Sequence, residues 1–561
     1  MSPDKKPSQS SAPSDRTKHL ENQSQQLKVI AEYFTAESQA KRATKRKKFF
    51  GGFIGVLMFL GTVWPVMYEG SLYAVGQMET RAAAENYAKV AKQIYYEENN
   101  PEIALTFIKK SMELNPDNSD YRYLHSYIEG MAVVRNLLNL DRPLNKEEVN
   151  EAHQSMASAA LLKLLEPDKP GPYILKGQIY SALKENERSL IEIKKAISFN
   201  PNNDFAHVRL ALIHFNLNEI DKSLKELDLA LAINPNSKWA WLWKGIVIGE
   251  SKKDWQAANS NYKKALEIDP RFDLAYYNLG WSFLKMSPKD YVKAQNNFET
   301  ALKINPNYKE ALYGLAMVYG YQDRYEIAKL YLTKAKDLDN QFLTAWKWLG
   351  VVNNEMNNFE ESLVAFGEAI KLNPGDSKLY VRRARLFSKD GQFEQGIKDL
   401  RLAAEMDPKN KRIWFYLGDI LLKMDKPNGA IDYFDKAVNI APNYSEAFLG
   451  KAKAFAALGS HKNAEENFKK SFRKSRNKKE RVIFAKGNFE ISRGNFLKAR
   501  KDFRTAREIK KTFGDAWLAE ADVLVRLKKT NEAIALLRQY LKLRPEDNKA
   551  SSMVLKLSKG L

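Results

Sequence analysis

Prolines recur at nearly constant spacing through most of this chain, and that period restricts the possible folds more than any other feature. They lie in short turns that contain Asn or Asp, at Pro167, Pro201, Pro235, Pro270, Pro306, Pro374, Pro408, Pro442 and Pro545. Successive gaps are 34, 34, 35, 36, 68, 34, 34 and 103 residues, and Asn340 stands where one further proline would fall. A unit of about 34 residues cannot bury a core alone, so the period predicts stacked repeats rather than separate globular domains.

Two apolar patterns recur within each period and predict a pair of helices. In one, a small residue is followed by a large apolar residue and then usually by Ala, all on one helix face, as in Ala430, Phe434 and Ala437. In the other, an aromatic residue precedes Gly or Ala by four positions, as in Trp414 and Gly418. Each unit is therefore predicted to be two antiparallel helices that bury their apolar faces only by stacking on neighbouring units.

These patterns resemble the tetratricopeptide repeat (TPR) family, most clearly in WKWLGVVNNEMNNFEESLVAFGEAIKLNP (346–374) and WFYLGDILLKMDKPNGAIDYFDKAVNIAP (414–442). The resemblance implies an all-α superhelical solenoid of about twelve helix pairs. We expect an irregular helical region with one early unit over 69–169, eleven tandem units over 170–545 and a capping helix over 546–561. It also implies a concave groove, lined by the first helix of each unit, that binds protein or peptide partners.

An uncharged run precedes the repeats. Residues 49–68 (FFGGFIGVLMFLGTVWPVMY) span about 30 Å as a helix and follow a cluster of basic residues, so we expect one transmembrane helix behind a cytoplasmic, partly disordered segment, 1–48. The positive-inside rule then places the repeats in the periplasm and the protein in a bacterial inner membrane, and the absence of cysteine fits an oxidising compartment. A cleaved signal peptide and a buried helix are the alternatives. Gly51 and Gly55 form a GxxxG pair that permits a homodimer.

The net charge of +22 is concentrated in two segments. Residues 1–48 carry eleven basic and five acidic side chains, and residues 469–511 carry seventeen and four. The second segment predicts a basic docking patch on the outer face, formed by Lys470, Arg473, Lys474, Arg500, Arg504, Arg507 and Lys511. Anionic lipid, an acidic protein or an anionic envelope polymer would bind it, whereas the expected topology disfavours nucleic acid. A solvated lysine-rich surface is the alternative.

Aromatic residues cluster at first-helix positions that we expect to face the groove. These predicted groove aromatics are Trp243, Tyr277, Trp281, Tyr313, Trp348, Phe415 and Tyr416. Such side chains anchor peptides or stack on sugar rings, and the alternative is that some belong to the core between repeats. A clamp for two carboxylates, as in some chaperone-binding family members, is matched only in part, by Lys347, Asn354, Arg382, Arg385 and Lys389.

Enzyme signatures are missing from the sequence. It contains no GxxxxGK[ST], GxSxG or HExxH motif, and no cysteine. His207 and His214 lie seven residues apart on one predicted helix face, a spacing that would suit a metal pair, but they occupy repeat positions where other units place aromatic core residues. We therefore expect no catalytic residues, no cofactor and no metal site.

Together these features predict a non-enzymatic interaction scaffold, anchored in the inner membrane, that organises partners of a cell-envelope assembly such as secretion, pilus, motility, polysaccharide-export or wall-synthesis machinery. One alternative is a membrane-anchored import or chaperone receptor with cytosolic repeats. Another is a glycan-contacting module of a polysaccharide-export complex.

Overall fold

The computed structural model describes residues 64–95 and 100–559, of which residues 64–75 are described by their backbone alone. The chain divides into two compact units, residues 1–128 and 129–561. The described part of the first unit contains α1 (Trp64–Gln93), α2 (Pro101–Leu114) and the start of α3 (Ser119–Leu138). Buried alanines of α1, Ala84 among them, allow α2 to approach closely, and Ser111 Oγ donates to the Ala84 carbonyl at 2.7 Å.

The predicted transmembrane helix over 49–68 is wrong. Residues 1–63, which include the Gly51 and Gly55 pair, lie outside the described residues, and residues 64–68 begin α1. That helix continues through Glu69, Glu79 and Arg81, so charges interrupt its apolar start. Within the described residues no helix combines the length and the apolar character that crossing a membrane requires. The anchor, and the inner-membrane location with periplasmic repeats that depended on it, are corrected accordingly.

The second unit is a run of helices, most of them 12 to 14 residues long, which pair antiparallel along the chain. After α3 they are α4 (Lys146–Leu165), α5 (Gly171–Ala182), α6 (Asn186–Phe199), α7 (Asp204–Asn216), α8 (Ile220–Ile233), α9 (Lys238–Val247), α10 (Trp255–Ile268), α11 (Asp273–Lys285), α12 (Tyr291–Ile304), α13 (Lys309–Gly320), α14 (Tyr325–Leu338), α15 (Leu343–Glu355), α16 (Phe359–Leu372), α17 (Ser377–Lys389), α18 (Phe393–Met406), α19 (Lys411–Lys423), α20 (Pro427–Ile440), α21 (Ser445–Ala457), α22 (His461–Lys474), α23 (Lys479–Ser492), α24 (Phe496–Ile509), α25 (Gly514–Arg526), α26 (Thr530–Leu541) and α27 (Asn548–Lys559).

Each repeat buries a large apolar residue of its second helix, and in several units that residue is a phenylalanine. Phe434 on α20 is fully buried and lies between Gly418 of its own unit and Gly450 of the next. A Cβ atom at Gly418 would lie 2.7 Å from this ring, and one at Gly450 would lie 2.5 Å from it. The glycines therefore let two first helices contact one ring, which is how a unit stacks on its successor.

Four tryptophans tie first helices to the turns before them. The indole Nε1 atoms of Trp241, Trp346, Trp414 and Trp517 each donate to a carbonyl oxygen six residues earlier, at 2.8 to 2.9 Å. The repeated Trp position thus fixes the angle at which each turn enters its helix.

The turns inside the pairs show the same period. Left-handed residues recur at Lys184, Asn218, Lys253, Asp323, Asn357, Gly391, Asp425, Gly459, Gly494 and Lys528. The proline gap of 35 residues contains one extra residue near Lys253, which a π-helical turn, Ile248–Lys252, accommodates. The gap of 36 residues contains two extra residues near Ser287, in a turn with a cis Ser287–Pro288 peptide bond. The stack of helix pairs continues past both insertions.

The region from 119 to 169 departs from the period because its helices are longer. Helices α3 and α4 each contain 20 residues and are joined by residues 139–145, which we call the strap. Asn145 caps α4 in a capping box with Glu148.

Candidate protein-binding surface

Four of the predicted groove aromatics form a continuous row, which we call the aromatic ladder: Tyr277, Trp281, Tyr313 and Trp348. Ring centroids are 6.4 Å apart for Tyr277 and Trp281, 5.4 Å for Trp281 and Tyr313, and 6.3 Å for Tyr313 and Trp348. All four are half-buried and pack against the core around Phe298. The ladder thus connects three successive units, and only part of each ring faces solvent.

The other three predicted groove aromatics lie apart from the ladder. Trp243 is half-buried against the core around Val208 and Leu227. Phe415 and Tyr416 contact each other at 5.3 Å, four helices further along the chain than Trp348. Beyond Trp348 the same repeat position holds Arg382 and then Tyr416, at a spacing of 34 residues.

A cleft begins where the ladder ends. Its larger part has a volume of about 1170 Å³ and is lined from α17, α19, the start of α21 and the α22–α23 connection, and its smaller part, of about 350 Å³, lies between α17 and α19. Ten cationic side chains line the two parts, and we call this region the basic cleft: Lys378, Arg382, Arg385, Lys411, Arg412, Arg473, Lys474, Arg476, Lys478 and Arg481. Glu446 is the one acidic residue among the lining residues.

The cations of the basic cleft contact aromatic and amide groups. Lys411 Nζ lies 4.8 Å from the centre of the Tyr444 ring, the Arg385 guanidinium lies 5.3 Å from that of Tyr416, and Lys474 Nζ donates to Asn443 Oδ1 at 2.9 Å. None of the ten forms an ion pair with a carboxylate of the described residues. Burial raises the pKa of the Tyr444 hydroxyl, so this ring is a neutral wall of the cleft. The cleft therefore holds a large, uncompensated positive charge beside apolar rings.

The predicted basic patch divides between two environments. Arg473 and Lys474 line the basic cleft, whereas Arg500, Arg504 and Arg507 of α24 surround the carboxylate of Glu520, which is 1% exposed. Their nitrogens lie 3.8, 3.4 and 2.6 Å from its oxygens.

The two lysines that complete the predicted patch are surface residues. Lys470 pairs with Glu466 at 2.6 Å, and Lys511 is exposed. Of the partial carboxylate clamp, Lys389 donates to Asn354 at 2.9 Å, Lys347 lies 3.7 Å from Asp376, and Arg382 and Arg385 line the basic cleft.

The two histidines of the possible metal pair have separate protein partners. His207 places Nδ1 2.7 Å from Glu226 and Nε2 3.0 Å from the Pro201 carbonyl, while His214 Nδ1 lies 2.5 Å from Glu219. Because both neighbours of His207 accept hydrogen bonds, the doubly protonated ring fits best, and the bond to Glu226 raises its pKa. Within the described residues no group of three or more His, Asp or Glu side chains is arranged to hold a metal ion.

Sequence reasoning named only some of the cleft residues. Six of the ten cleft cations belong neither to the predicted basic patch nor to the partial carboxylate clamp: Lys378, Lys411, Arg412, Arg476, Lys478 and Arg481. The signal that finds the first three is the period itself, since Lys378 and Arg412 lie 34 residues apart at one first-helix position and Lys411 is adjacent. Arg476 and Arg481 belong to the basic run after residue 469, and the sequence pattern does not indicate which face of the solenoid their side chains occupy.

Comparison with known proteins agrees with the repeat architecture. One family model described as tetratricopeptide repeat matches residues 381–445 and 484–550, and a second with the same description matches 171–203, 206–237 and 309–342. The small glutamine-rich tetratricopeptide repeat-containing protein 2 of Mycosarcoma maydis is 28% identical over 110 residues, which are 20% of this chain and 31% of that protein.

Two further relatives match shorter shares of their own length. Anaphase-promoting complex subunit 3 of Schizosaccharomyces pombe is 25% identical over 150 residues, 27% of this chain and 23% of that protein. Hsp70-Hsp90 organizing protein 1 of Glycine max is 28% identical over 96 residues, 17% of each chain. The alignments thus span between about a sixth and a third of the relatives' length. These relatives come from fungi and a plant.

Among solved structures, the crystal structure of the yeast Tom70 aligns with 79% of this chain and 97% of its own, at 13% identity and a TM-score of 0.32. The family matches and the helix pairs lead to one conclusion. The matched segments carry tetratricopeptide repeats, and the helix pairs of the described residues form an all-α solenoid.

Proposed function

We propose that this protein is an adaptor whose basic cleft binds an acidic segment of a partner protein. The observation that carries the proposal is the composition of the cleft, ten cations against the single carboxylate of Glu446. Like charges that line one concavity repel each other when it is empty, and a ligand of opposite charge relieves this repulsion.

The aromatic side chains of the cleft favour a polypeptide as the ligand. Phe415 lies 5.3 Å from Tyr416 and 5.6 Å from Tyr444, so three rings form an apolar wall beside the cations. A segment in which acidic residues alternate with apolar ones would place carboxylates on the guanidinium groups and side chains on the rings. A tetratricopeptide-repeat groove of this size accepts such a segment in extended or helical form.

The partner class that we propose is a chaperone. One group of relatives, from soybean, wheat and Arabidopsis, is named for organising Hsp70 and Hsp90, and its members match this chain at 28% identity over 92 to 100 residues. This likeness favours a chaperone adaptor over the envelope-assembly scaffold, which depended on the corrected membrane helix.

Fluorescence anisotropy with a labelled acidic peptide tests the cleft. Reversing three cleft charges (Arg412→Glu, Arg476→Glu and Arg481→Glu) should weaken binding by about 30-fold or more, equivalent to about 2 kcal/mol. A matched control reverses three exposed charges that lie outside the cleft, Arg188→Glu, Lys253→Glu and Lys371→Glu, with the same change in net charge. Equal weakening by both sets would mean that net charge alone attracts the peptide, and the cleft proposal would fall.

Purified Hsp70 and Hsp90 test the partner class separately. Binding of either chaperone to the wild-type chain, lost in the cleft variant and kept in the control variant, is the expected result. If the acidic peptide binds in the cleft but neither chaperone does, the chaperone assignment is wrong while the acidic-segment proposal stands.

A further inference from the structure

The strap, residues 139–145, bonds to a helix far along the chain. The carboxylate of Asp141 accepts the backbone N–H groups of Leu343 and Thr344 at 2.9 and 2.6 Å, although 202 and 203 residues separate them in sequence. These are the first two residues of α15, whose own preceding residue, Phe342, supplies no side-chain cap. Asp141 therefore caps α15 from outside its repeat, where an anion also meets the positive end of the helix dipole.

The neighbouring arginine fixes the strap on the same turn. Arg142, with a side chain only 4% exposed, donates to both carboxylate oxygens of Glu148, at 2.6 and 2.9 Å, and also to Gln341 Oε1. Glu148 is at the same time part of the capping box that begins α4. One guanidinium thus joins the start of α4 to the turn before α15.

The receiving turn departs from the repeat pattern at the contact. Asn340 stands where most units have proline, and Gln341 follows it at a position where the units with proline have Asp, Asn, Arg, Gly, Lys or Glu. The long amide of Gln341 reaches Arg142, and its own backbone N–H donates to Asp339 Oδ1 at 2.9 Å. The departure from the proline pattern at Asn340 therefore lies directly before the residue that bonds to the strap.

Such a contact changes the mechanics of a repeat array. In a solenoid each unit touches only its neighbours, so small rotations at each interface add up and the array flexes like a spring. A bond between residues 202 positions apart spans about six units, so it restricts the total rotation that the interfaces between them can accumulate. We propose that the strap is an intramolecular latch that holds the units from α5 to α15 at one superhelical pitch, and that opening it lengthens this part of the solenoid. The inference does not depend on the proposed function of the basic cleft.

Spin labels measure the latch directly, because the chain has no cysteine of its own. Labels at Asn139→Cys and Asn340→Cys, both exposed positions, should give a short and narrow distance distribution in the otherwise wild-type chain. Asp141→Ala combined with Arg142→Ala should lengthen and broaden it. The control variant Asp290→Ala removes the ordinary cap of α12, whose carboxylate accepts the Lys293 N–H at 2.9 Å, and should leave the distribution unchanged.

A second measurement needs no destabilising variant. Residue-resolved hydrogen exchange should show Leu343 and Thr344 exchanging at least about 30-fold more slowly than Ser445 and Glu446, which hold the same two positions of α21 three repeats later. Asp141→Ala should abolish that difference. A broad distance distribution in the wild-type background, or equal exchange at the two pairs, would overturn the proposal. So would a distance that the double variant does not change.

Discussion

The same lysine position of the repeat has an aspartate partner before α16 and has none after it. Lys238 on α9 and Lys309 on α13 each donate to an aspartate in the next turn, Asp269 at 2.6 Å and Asp339 at 2.5 Å. Lys411 occupies that position on α19, but the corresponding turn residue is Ala441. All three lysines lie beside an aromatic ring of that turn, and Lys411, which lies over Tyr444 inside the basic cleft, differs in having no carboxylate there.

The aromatic residues differ in the same sense. In the earlier region the rings of the ladder, from Tyr277 to Trp348, pack mainly against neighbouring units. In the later region Phe415 and Tyr416 share their surroundings with arginines that have no acidic partner among the described residues. The earlier region thus pairs its polar groups and the later region leaves cations unpaired, so we expect the two regions to respond differently to substitution.

The largest expected effect concerns Glu520, whose ion pairs occupy three arginines outside the basic cleft. Glu520→Ala would leave the largely buried Arg500 and Arg507 and the half-exposed Arg504 without their shared carboxylate, and breaking such a group should cost about 4 kcal/mol of local stability. Hydrogen exchange of α24 and α25 measures the loss, because long repeat arrays do not unfold as one unit. Glu532→Ala, which removes the exposed partner of Arg500, is the control and should have a much smaller effect. A loss for Glu520→Ala as small as that of the control would mean that the α24 arginines are available for docking.

The second effect separates the ladder from the cleft. Trp281→Ala removes a ring that contacts Tyr277, Tyr313 and Phe298, and should cost about 3 kcal/mol in local exchange without changing the affinity for an acidic peptide. Tyr416→Ala is the counterpart in the cleft and should weaken peptide binding more than it lowers stability. A loss of peptide affinity in Trp281→Ala would extend the binding surface into the ladder.

The sequence predicts the repeated part of this difference and misses the rest for a physical reason. The period identifies Phe434, Ala430 and Gly418 as core because each recurs with the same neighbours. It does not tell whether Lys411 is paired, since pairing depends on one residue, Ala441, in the following turn. Contacts outside the period, such as Asp141 with α15, leave no periodic signal at all. The predicted membrane helix over 49–68 is wrong because it was inferred from apolar composition alone. In the structure, the end of that run begins a helix that continues through charged residues.

The third effect is a pH dependence in the earlier region. Hydrogen bonding to Glu226 raises the pKa of His207 above its ordinary 6.5, so protonated His207 stabilises the fold at low pH. That contribution is complete below about pH 6.5 and is lost as pH rises through the folded-state value. His207→Gln should therefore cost about 1 kcal/mol more at pH 5.5 than at pH 8.5 in local urea unfolding. The exposed His153→Gln is the control, and an equal cost of His207→Gln at both pH values would contradict the paired state of this histidine.

The smallest expected effect comes from a substitution that gives Lys411 the aspartate partner found in the earlier region. Ala441→Asp restores the aspartate that Lys238 and Lys309 have, at a turn residue whose backbone angles, φ −138° and ψ 90°, are close to those of Asp339, −147° and 101°. An ion pair with Lys411 should then add about 0.5 kcal/mol of local stability and weaken acidic-peptide binding by about fivefold. Asp339→Ala makes the reverse change on Lys309. Ala441→Asn is the uncharged control and should do neither. If Ala441→Asp stabilises the repeat but leaves the affinity unchanged, Lys411 is not one of the groups that hold the peptide, and the contrast between the paired and unpaired lysines has no bearing on binding.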